Sequence, residues 1–448
     1  MTLRSDDLID EQKKAIDECI KWFRHGSQFG FKERPRFILN GPAGSGKSTI
    51  AYFILEAIGL SPTSDEVANV AYTGKATMVM KSKGLINART IHSSIYLPQD
   101  DIGNELKTMR NRITMLRGEL SKITIPEDRV TANVDIERLT ADLIALQENS
   151  DGDVLWVLNP NADIRNKKLI VCDEASMVGF KEYRDLESYG VPILYLGDGF
   201  QLPSISDGPE DSVMFYNNGS LKPTDFALTS IHRQAENSPI IRYSRALREN
   251  RTDEIRFIGR QDGDGTLVRI SRNSLSVANL AKAEQVIVGK NDTRHDVNAS
   301  IREFLGRTSP YPEKGDKIIF LKNNKDHKVV NGMTGVALED YYGYSSKEGS
   351  ILTDVLLEDG RIINAPLLVP YFQHPGNNDA LYETTPAWSR KKNLHADFGN
   401  AITCHKSQGS QYDNGILLNE PLGRTDELRR RWLYTGVTRF ARNLIIAI

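Results

Sequence analysis

Cysteine is scarce in these 448 residues: there are three, Cys19, Cys172 and Cys404, widely scattered. That spacing excludes a cysteine-rich zinc site and fits a reducing compartment. Long apolar runs are missing too. No stretch approaches the roughly 20 residues of a membrane-spanning helix. The first residues, MTLRSDDLIDEQKK, are too polar to read as a secretory signal. Nor is there an excess of either charge. With 57 Lys and Arg against 59 Asp and Glu, the net charge is −2. This argues against a protein coated in positive charge but leaves room for a local basic groove. What is present is a 39% hydrophobic fraction, enough for packed cores. The length suits two or more domains at roughly 100–200 residues each. The expectation is a soluble, cytoplasmic, multidomain protein.

Residues 34–50 read RPRFILNGPAGSGKSTI. A short apolar run, Phe37–Leu39, precedes Gly41, Pro42, Ala43, Gly44, Ser45, Gly46, Lys47 and Ser48, and a helical pattern follows from Thr49. This is the P-loop pattern in its strand–loop–helix context. The glycines let backbone N–H groups turn inward around phosphates, and the helix N-terminus adds partial positive charge. Lys47 is expected to reach the β- and γ-phosphates of ATP, and the Ser48 hydroxyl to ligate Mg²⁺. A P-loop predicts nucleotide binding without naming a job.

Residues 167–177 read KKLIVCDEASM. Leu169–Cys172 are continuously apolar, as in a strand buried on both faces of a parallel sheet. Asp173 and Glu174 follow at its C-terminal end, where open α/β sheets place ligands. Asp173 is expected to hold Mg²⁺ through water, and Glu174 to orient and deprotonate an attacking water. An activated water points to hydrolysis. PILYLGDGFQLPS, residues 192–204, repeats the design and offers Gln201 to the γ-phosphate. VANVAYTGKAT delivers Thr73, Gly74 and Lys75, and ARTIHSS delivers Thr90, His92 and Ser93. Hydroxyls, amides and single cations suit contacts to a phosphate backbone that ignore sequence. Near the other end, AITCHKSQGSQYDN (401–414) matches no metal or nucleophile pattern read alone.

In this order the motifs GPAGSGKST, AYTGKA, TIHS, CDEASM, GDGFQLPS, IHRQAENSPI, TCHKSQGSQYD and LYTGVTRFARN resemble the series of superfamily 1 DNA helicases. The RecD-like branch fits best, in the size of its compact phage members. The resemblance implies two RecA-like domains with ATP between them and single-stranded DNA across their top, moving 5′→3′. It assigns adenine recognition to Gln12, and γ-phosphate contacts to Arg233 and Arg439. It places Thr403 and His405 on the DNA backbone, and Gln408 and Gly409 beside the ATP cleft. More weakly, it sets Asn291, Arg294 and Asn298 against DNA or the domain interface. One departure is Pro203–Ser204, where the family often has two prolines; no catalytic group is lost by it.

The expected fold class is therefore α/β, with two RecA-like P-loop domains on parallel sheets. Domain 1 would span 1–230, and domain 2 would combine 231–308 with 399–448. Two insertions are predicted. At about 94–160, Leu106, Met109, Ile113, Leu116, Leu120 and Ile123, then Ile136, Leu139, Leu143 and Leu146, recur at heptad spacing. They predict an antiparallel helical hairpin, either a projecting arm or a layer on the first domain. Tyr96 and Trp156 flank it as candidate wedge aromatics. At 309–398, short apolar segments between Gly, Asn and Asp turns predict a small β-barrel, SH3-like by the resemblance.

The functional expectation is an ATP-dependent, Mg²⁺-requiring DNA helicase acting on single strands and forks. It would act as a monomer, in a bacterial or phage-infected cytoplasm, with residues 104–149 available to a protein partner. An RNA helicase, a small-molecule kinase and an ATP-switched binding module are the alternatives. A kinase gives no reason for the loops at 401–412 and 434–439, and Glu174 with two arginines argues against a simple switch.

Overall fold

The computed structural model describes residues 8–120, 123, 126–148, 156–204, 211–216, 218, 220–229, 238–251, 265–376, 381 and 383–448. The side chains of 98–105, 126, 144–148 and 156 lie outside that description, as does all of Arg233.

Among the described residues, eight strands occupy the first half: β1 (Arg36–Asn40), β2 (Val67–Ala71), β3 (Arg89–Thr90), β4 (Tyr96–Pro98), β5 (Trp156–Leu158), β6 (Leu169–Asp173), β7 (Ile193–Gly197) and β8 (Phe226–Ala227). Six of them form one parallel sheet in the order β3-β2-β6-β7-β1-β8. Its strands alternate between two cores, because side chains of a strand point to opposite faces. Leu169, Val171, Leu194 and Leu196 enter one cluster with Phe37 and Leu39. Ile170, Cys172, Ile193 and Tyr195 enter the other with Ile38. Both faces being covered, the strands read as unbroken apolar runs.

Between β3 and β6 the chain leaves this sheet. Helices α1 (Asp10–Phe29), α2 (Lys47–Ala57), α3 (Gly74–Ser82) and α4 (Ile91–Ile95) belong to the first domain; α5 (Gln99–Leu120) and α6 (Pro126–Glu148) form the hairpin. Ile113, Ile136 and Leu139 close its seam with Leu116, Leu120 and Leu143. Met109 packs on Val157 of the β4–β5 ribbon at the base. These clusters are separate from both cores of the sheet, so the hairpin is held by its own seam. An Arg165–Asp142 ion pair at 2.6 Å adds a side strut. Ile123 falls between the helices, and the Leu146 side chain lies outside the described residues.

Tyr96 corrects one expectation. Its ring is buried in a core cluster of the first domain, and its hydroxyl donates to Asp185 Oδ2 at 2.5 Å. A wedge must be exposed, so Tyr96 is an anchor instead. The Trp156 side chain is outside the described residues.

The second half holds β9 (Thr266–Ile270), β10 (Gln285–Val288), β11 (Lys317–Phe320), β12 (Thr334–Ala337), β13 (Tyr342–Ser345), β14 (Ser350–Leu357), β15 (Ile362–Leu368), β16 (Ala396–Phe398), β17 (Ala401–Thr403), β18 (Tyr412–Leu418) and β19 (Phe440–Ala447). A second parallel sheet runs β17-β10-β18-β19-β9. Ile287, Leu417 and Leu444 face one core of it, and Val286, Ile416 and Leu418 the other. The strands β13-β14-β12-β11-β16, with β15 on β14, make an antiparallel sheet around its own core. The chain is thus two parallel α/β sheets, one carrying a helical insertion and the other an antiparallel one.

Candidate nucleotide cleft

Most groups of this site sit at the C-terminal ends of parallel strands, with Gln12 on α1 and Arg439 between the last helix and β19. The P-loop leaves β1 and enters α2. Gly46 has φ +84°, and a Cβ there would stand 2.9 Å from Gln12 Nε2; that left-handed conformation favours glycine. Gln12 is buried. Its Nε2 donates to Ser45 O at 3.1 Å, and its Oε1 accepts from Ile9 N, closing the start of α1. Lys47 Nζ donates to Gly41 O at 2.8 Å and Pro42 O at 3.1 Å, which holds the ammonium inside the curve of the loop.

Ser48 Oγ donates to Asp173 Oδ2 at 2.6 Å, joining the start of α2 to the end of β6. Asp173 Oδ1 accepts from Glu174 N at 2.8 Å. Glu174 has φ +54°, a left-handed backbone that is uncommon away from glycine. Burial pushes its carboxyl upward, the charge of Asp173 adds to this, and Arg439 and Lys47 pull it back.

After β7, Asp198 Oδ2 accepts from Ala43 N at 2.9 Å and from Tyr434 Oη at 2.8 Å. One carboxylate thereby links the P-loop to the second domain. Leu202 N donates to Thr435 Oγ1 at 2.9 Å, and Gln408 Nε2 to Leu202 O at 3.4 Å. Gln201 is buried, with Nε2 at 3.4 Å from Asp198 Oδ2; its Oε1 lacks a hydrogen-bond partner among the described residues.

From the second domain, helix Asp426–Val437 ends beside Arg439. This guanidinium is buried and donates to Thr435 O, Ser410 O and Thr438 Oγ1 at 3.1–3.3 Å. All three acceptors are uncharged, and the guanidinium acts electrostatically on Glu174. A cavity of about 500 Å³ lies between the two halves. Ala43, Gly44, Gly46, Lys47, Ser48, Thr49, Asp173, Glu174 and Gln201 line one side; Gly409, Ser410, Gln411, Thr438 and Arg439 line the other. Gly41, Pro42 and Ser45 form the loop beneath. The sequence reading gave Asp198 no role and did not single out Tyr434; the apolar strand ending in Gly-Asp was a signal for the former alone.

The residues expected on DNA divide among four places, the ends of β2, β3, β10 and β17. Thr73 follows β2, its Oγ1 accepting from Ala76 N to cap α3. Gly74 starts that helix, and Lys75 lines the nucleotide cavity while pairing with Glu358 at 3.0 Å. Thr90 ends β3 and caps α4 by accepting from Ser93 N, and Ser93 Oγ donates back to Thr90 O. His92 lies 3.7 Å from Glu182, with burial lowering its pKa and Glu182 raising it. Thr403 ends β17, Oγ1 accepting from Lys406 N. His405 is half-buried, and burial lowers its pKa. Asn291 is exposed at the start of the helix after β10. Arg294 and Asn298 on that helix are buried: Arg294 pairs with Asp397 at 2.7 Å, and Asn298 bonds Phe398 O and Ala401. These two secure the root of the antiparallel insertion.

An AAA-domain family model matches residues 31–267, and a UvrD-like helicase C-terminal domain model matches 398–447. An uncharacterized protein of Methanocaldococcus jannaschii, MJ1519, is 21% identical over 491 aligned residues, covering 92% of this chain and 36% of that protein. The ATP-dependent DNA helicase Dda of phage T4 is 24% identical over 242 residues, 53% of this chain and 41% of Dda. The chain spans between about a third and two fifths of these relatives' lengths. A Pif1 helicase solved for DNA unwinding at forked duplex DNA has a TM-score of 0.51 at 17% identity, with 98% of this chain and 92% of that one covered.

Proposed function

The chain belongs to the AAA-domain P-loop family, with the UvrD-like C-terminal domain of superfamily 1 helicases behind it, and on that premise we propose an ATP-dependent DNA helicase. The observation that carries this is the cavity between the two parallel sheets, with hydrolytic groups on one wall and an uncharged-bonded arginine on the other. Such a cleft makes hydrolysis sensitive to the distance between domains, which is what a translocating motor needs.

Lys47 and the P-loop amides hold the phosphates, and Gln12 lies against the loop to read the base. The Ser48 hydroxyl and Asp173 carboxylate, 2.6 Å apart, fit Mg²⁺ held by one hydroxyl, a water-bridged carboxylate and phosphate oxygens; bound there, the ion would neutralise charge on the β- and γ-phosphates. Glu174 takes a proton from water. Gln201, Arg439 and Arg233 contact the γ-phosphate, Arg233 from outside the described residues. Gln408 and Gly409 relay the state of the cleft to Thr403 and His405.

Thr73, Gly74, Lys75, Thr90, His92, Ser93, Asn291, Thr403 and His405 follow the ends of β2, β3, β10 and β17, a row suited to a phosphate backbone. The DNA reading is also supported by the name of the phage relative and by the forked-DNA work on the Pif1 neighbour. Movement 5′→3′ is carried over from the motif resemblance. Action as a monomer in a cytoplasm and a protein partner on the hairpin complete the proposal. Among the described residues no helix is long and apolar enough to cross a membrane.

The test is unwinding of duplexes bearing a 5′ or a 3′ single-stranded tail, with ATPase measured on DNA and on RNA. We expect activity on the 5′-tailed DNA, and loss of ATPase with retained DNA affinity in Lys47→Ala. Stimulation by RNA alone would move the assignment to an RNA helicase; undiminished turnover in Lys47→Ala would refute the active site.

A further inference from the structure

The geometry points to the antiparallel insertion as a clasp across the nucleotide cleft, with Glu358 positioning Lys75 of the first domain. The inference rests on reading the cavity as a nucleotide site.

The insertion is fixed to the second domain. Arg302 bonds both oxygens of Asp316, and Arg307 adds a third contact at 2.8 Å. Arg294 pairs with Asp397 of β16. Lys317 Nζ donates to Glu284 O and Gln285 Oε1, both at 2.7 Å. These are buried or half-buried charges with several partners each, the kind that resist separation. The insertion therefore moves with the second sheet.

Its outer side grips the first domain. Glu358, in the turn between β14 and β15, binds Lys75 Nζ at 3.0 Å, the two side chains being 24% and 15% exposed. The same carboxylate oxygen accepts from Thr334 Oγ1 at 2.6 Å, so it is held before it meets the lysine. Beside the pair, Val330 lies so near Gly74 that a Cβ there would come 2.4 Å from Val330 Cβ. Met78, one turn further along α3, packs on the core of the insertion.

Lys75 is also part of the cavity wall and lies 5.5 Å from the centre of the Tyr412 ring. Domain 1, the insertion and domain 2 thus meet at one cation. Because the cavity is lined from both sheets, nucleotide leaves as the second domain moves off the P-loop. That movement must separate Glu358 from Lys75 and Val330 from Gly74. The clasp sets the rate of this opening through Glu358 and Val330, neither of which lines the cavity.

Release of a fluorescent ADP analogue with Mg²⁺, followed by stopped flow without any polynucleotide, tests this. Glu358→Gln is expected to release it about three- to tenfold faster, as suits a half-buried ion pair. Gly74→Ala, which forces Val330 away, is expected to act the same way. Two rescues separate a clasp from general damage. Lys75→Glu combined with Glu358→Lys restores the charge pair, and Val330→Ala added to Gly74→Ala restores room. Recovery toward the wild-type rate in at least one double variant is expected. Wild-type release in Glu358→Gln and Gly74→Ala, or recovery in neither double variant, overturns the clasp while leaving the nucleotide reading intact. Failure of the unaltered chain to bind the analogue would overturn both.

Discussion

Glu174 carries two costs at one position: a left-handed backbone and a desolvated carboxyl. Strain of this kind is worth about 1–3 kcal/mol and persists where the surroundings over-determine it. Here Asp173 Oδ1 receives the Glu174 amide, which fixes the turn. A carboxylate pushed upward by burial is a stronger base toward water, so in the proposed role of Glu174 the cost would have a chemical use. The Asp-Glu pair was legible from the apolar run before it. The left-handed turn at Glu174 was not, since no pattern in the residue types announces a positive φ there. Lys317 shows a second buried charge. Burial, then the nearby charge of Lys75, lowers it from 10.5 to about 8. Between about pH 8 and 10.5 the unfolded chain binds the extra proton, so this group makes stability rise with pH through that window. Lys317→Met should flatten the rise; thermal unfolding of both proteins at pH 8, 9 and 10 checks it, and parallel curves would contradict it.

Among the elements, the hairpin was readable because its heptad seam needs only local order. Leu106 to Leu120 and Ile136 to Leu143 recur at the spacing that brings two helices together, and they meet in the fold. Tyr96 was misread because its partner, Asp185, is 89 positions away and no local pattern announces it. The hairpin is held by small clusters of its own, apart from the cores of the sheet. Leu139→Ala should cost about 2–3 kcal/mol within the arm. Hydrogen exchange should rise across 106–143 while basal ATP hydrolysis is unchanged. A matching rise in the P-loop strand would mean that the arm and the first domain unfold as one unit.

At the scale of the whole molecule, the cleft depends on contacts that cross from one sheet to the other. Asp198 to Tyr434 and Leu202 to Thr435 hold the second domain's helix against the P-loop half. Arg439 is delivered by that docking. An arginine offered to the γ-phosphate is worth about 10³–10⁵ in turnover in related NTPases. Arg439→Ala should lose turnover on that order while nucleotide affinity changes far less. Arg439→Lys, which keeps charge but not the three-way hydrogen bonding, should fall between. Steady-state hydrolysis beside equilibrium nucleotide binding checks both, and an equal loss of binding would make Arg439 structural.

The AITCHKSQGSQYDN loop belongs to this scale. By itself it offered no chemistry; in the fold, Gly409, Ser410 and Gln411 form a wall of the cavity. Sequence alone determined the P-loop, the Asp173–Glu174 pair, the apolar strands of the first sheet and the hairpin, because strand runs, glycine turns and heptads are short-range patterns; the second parallel sheet was expected only from the motif resemblance. Tertiary structure alone decided that Asp198 would bridge to Tyr434, that Arg294 and Asn298 would root the insertion, and that Lys75 would pair with Glu358. Those partners lie 100 to 283 residues apart, and burial sets their pairing: a charge withdrawn from water takes the partner that packing brings to it.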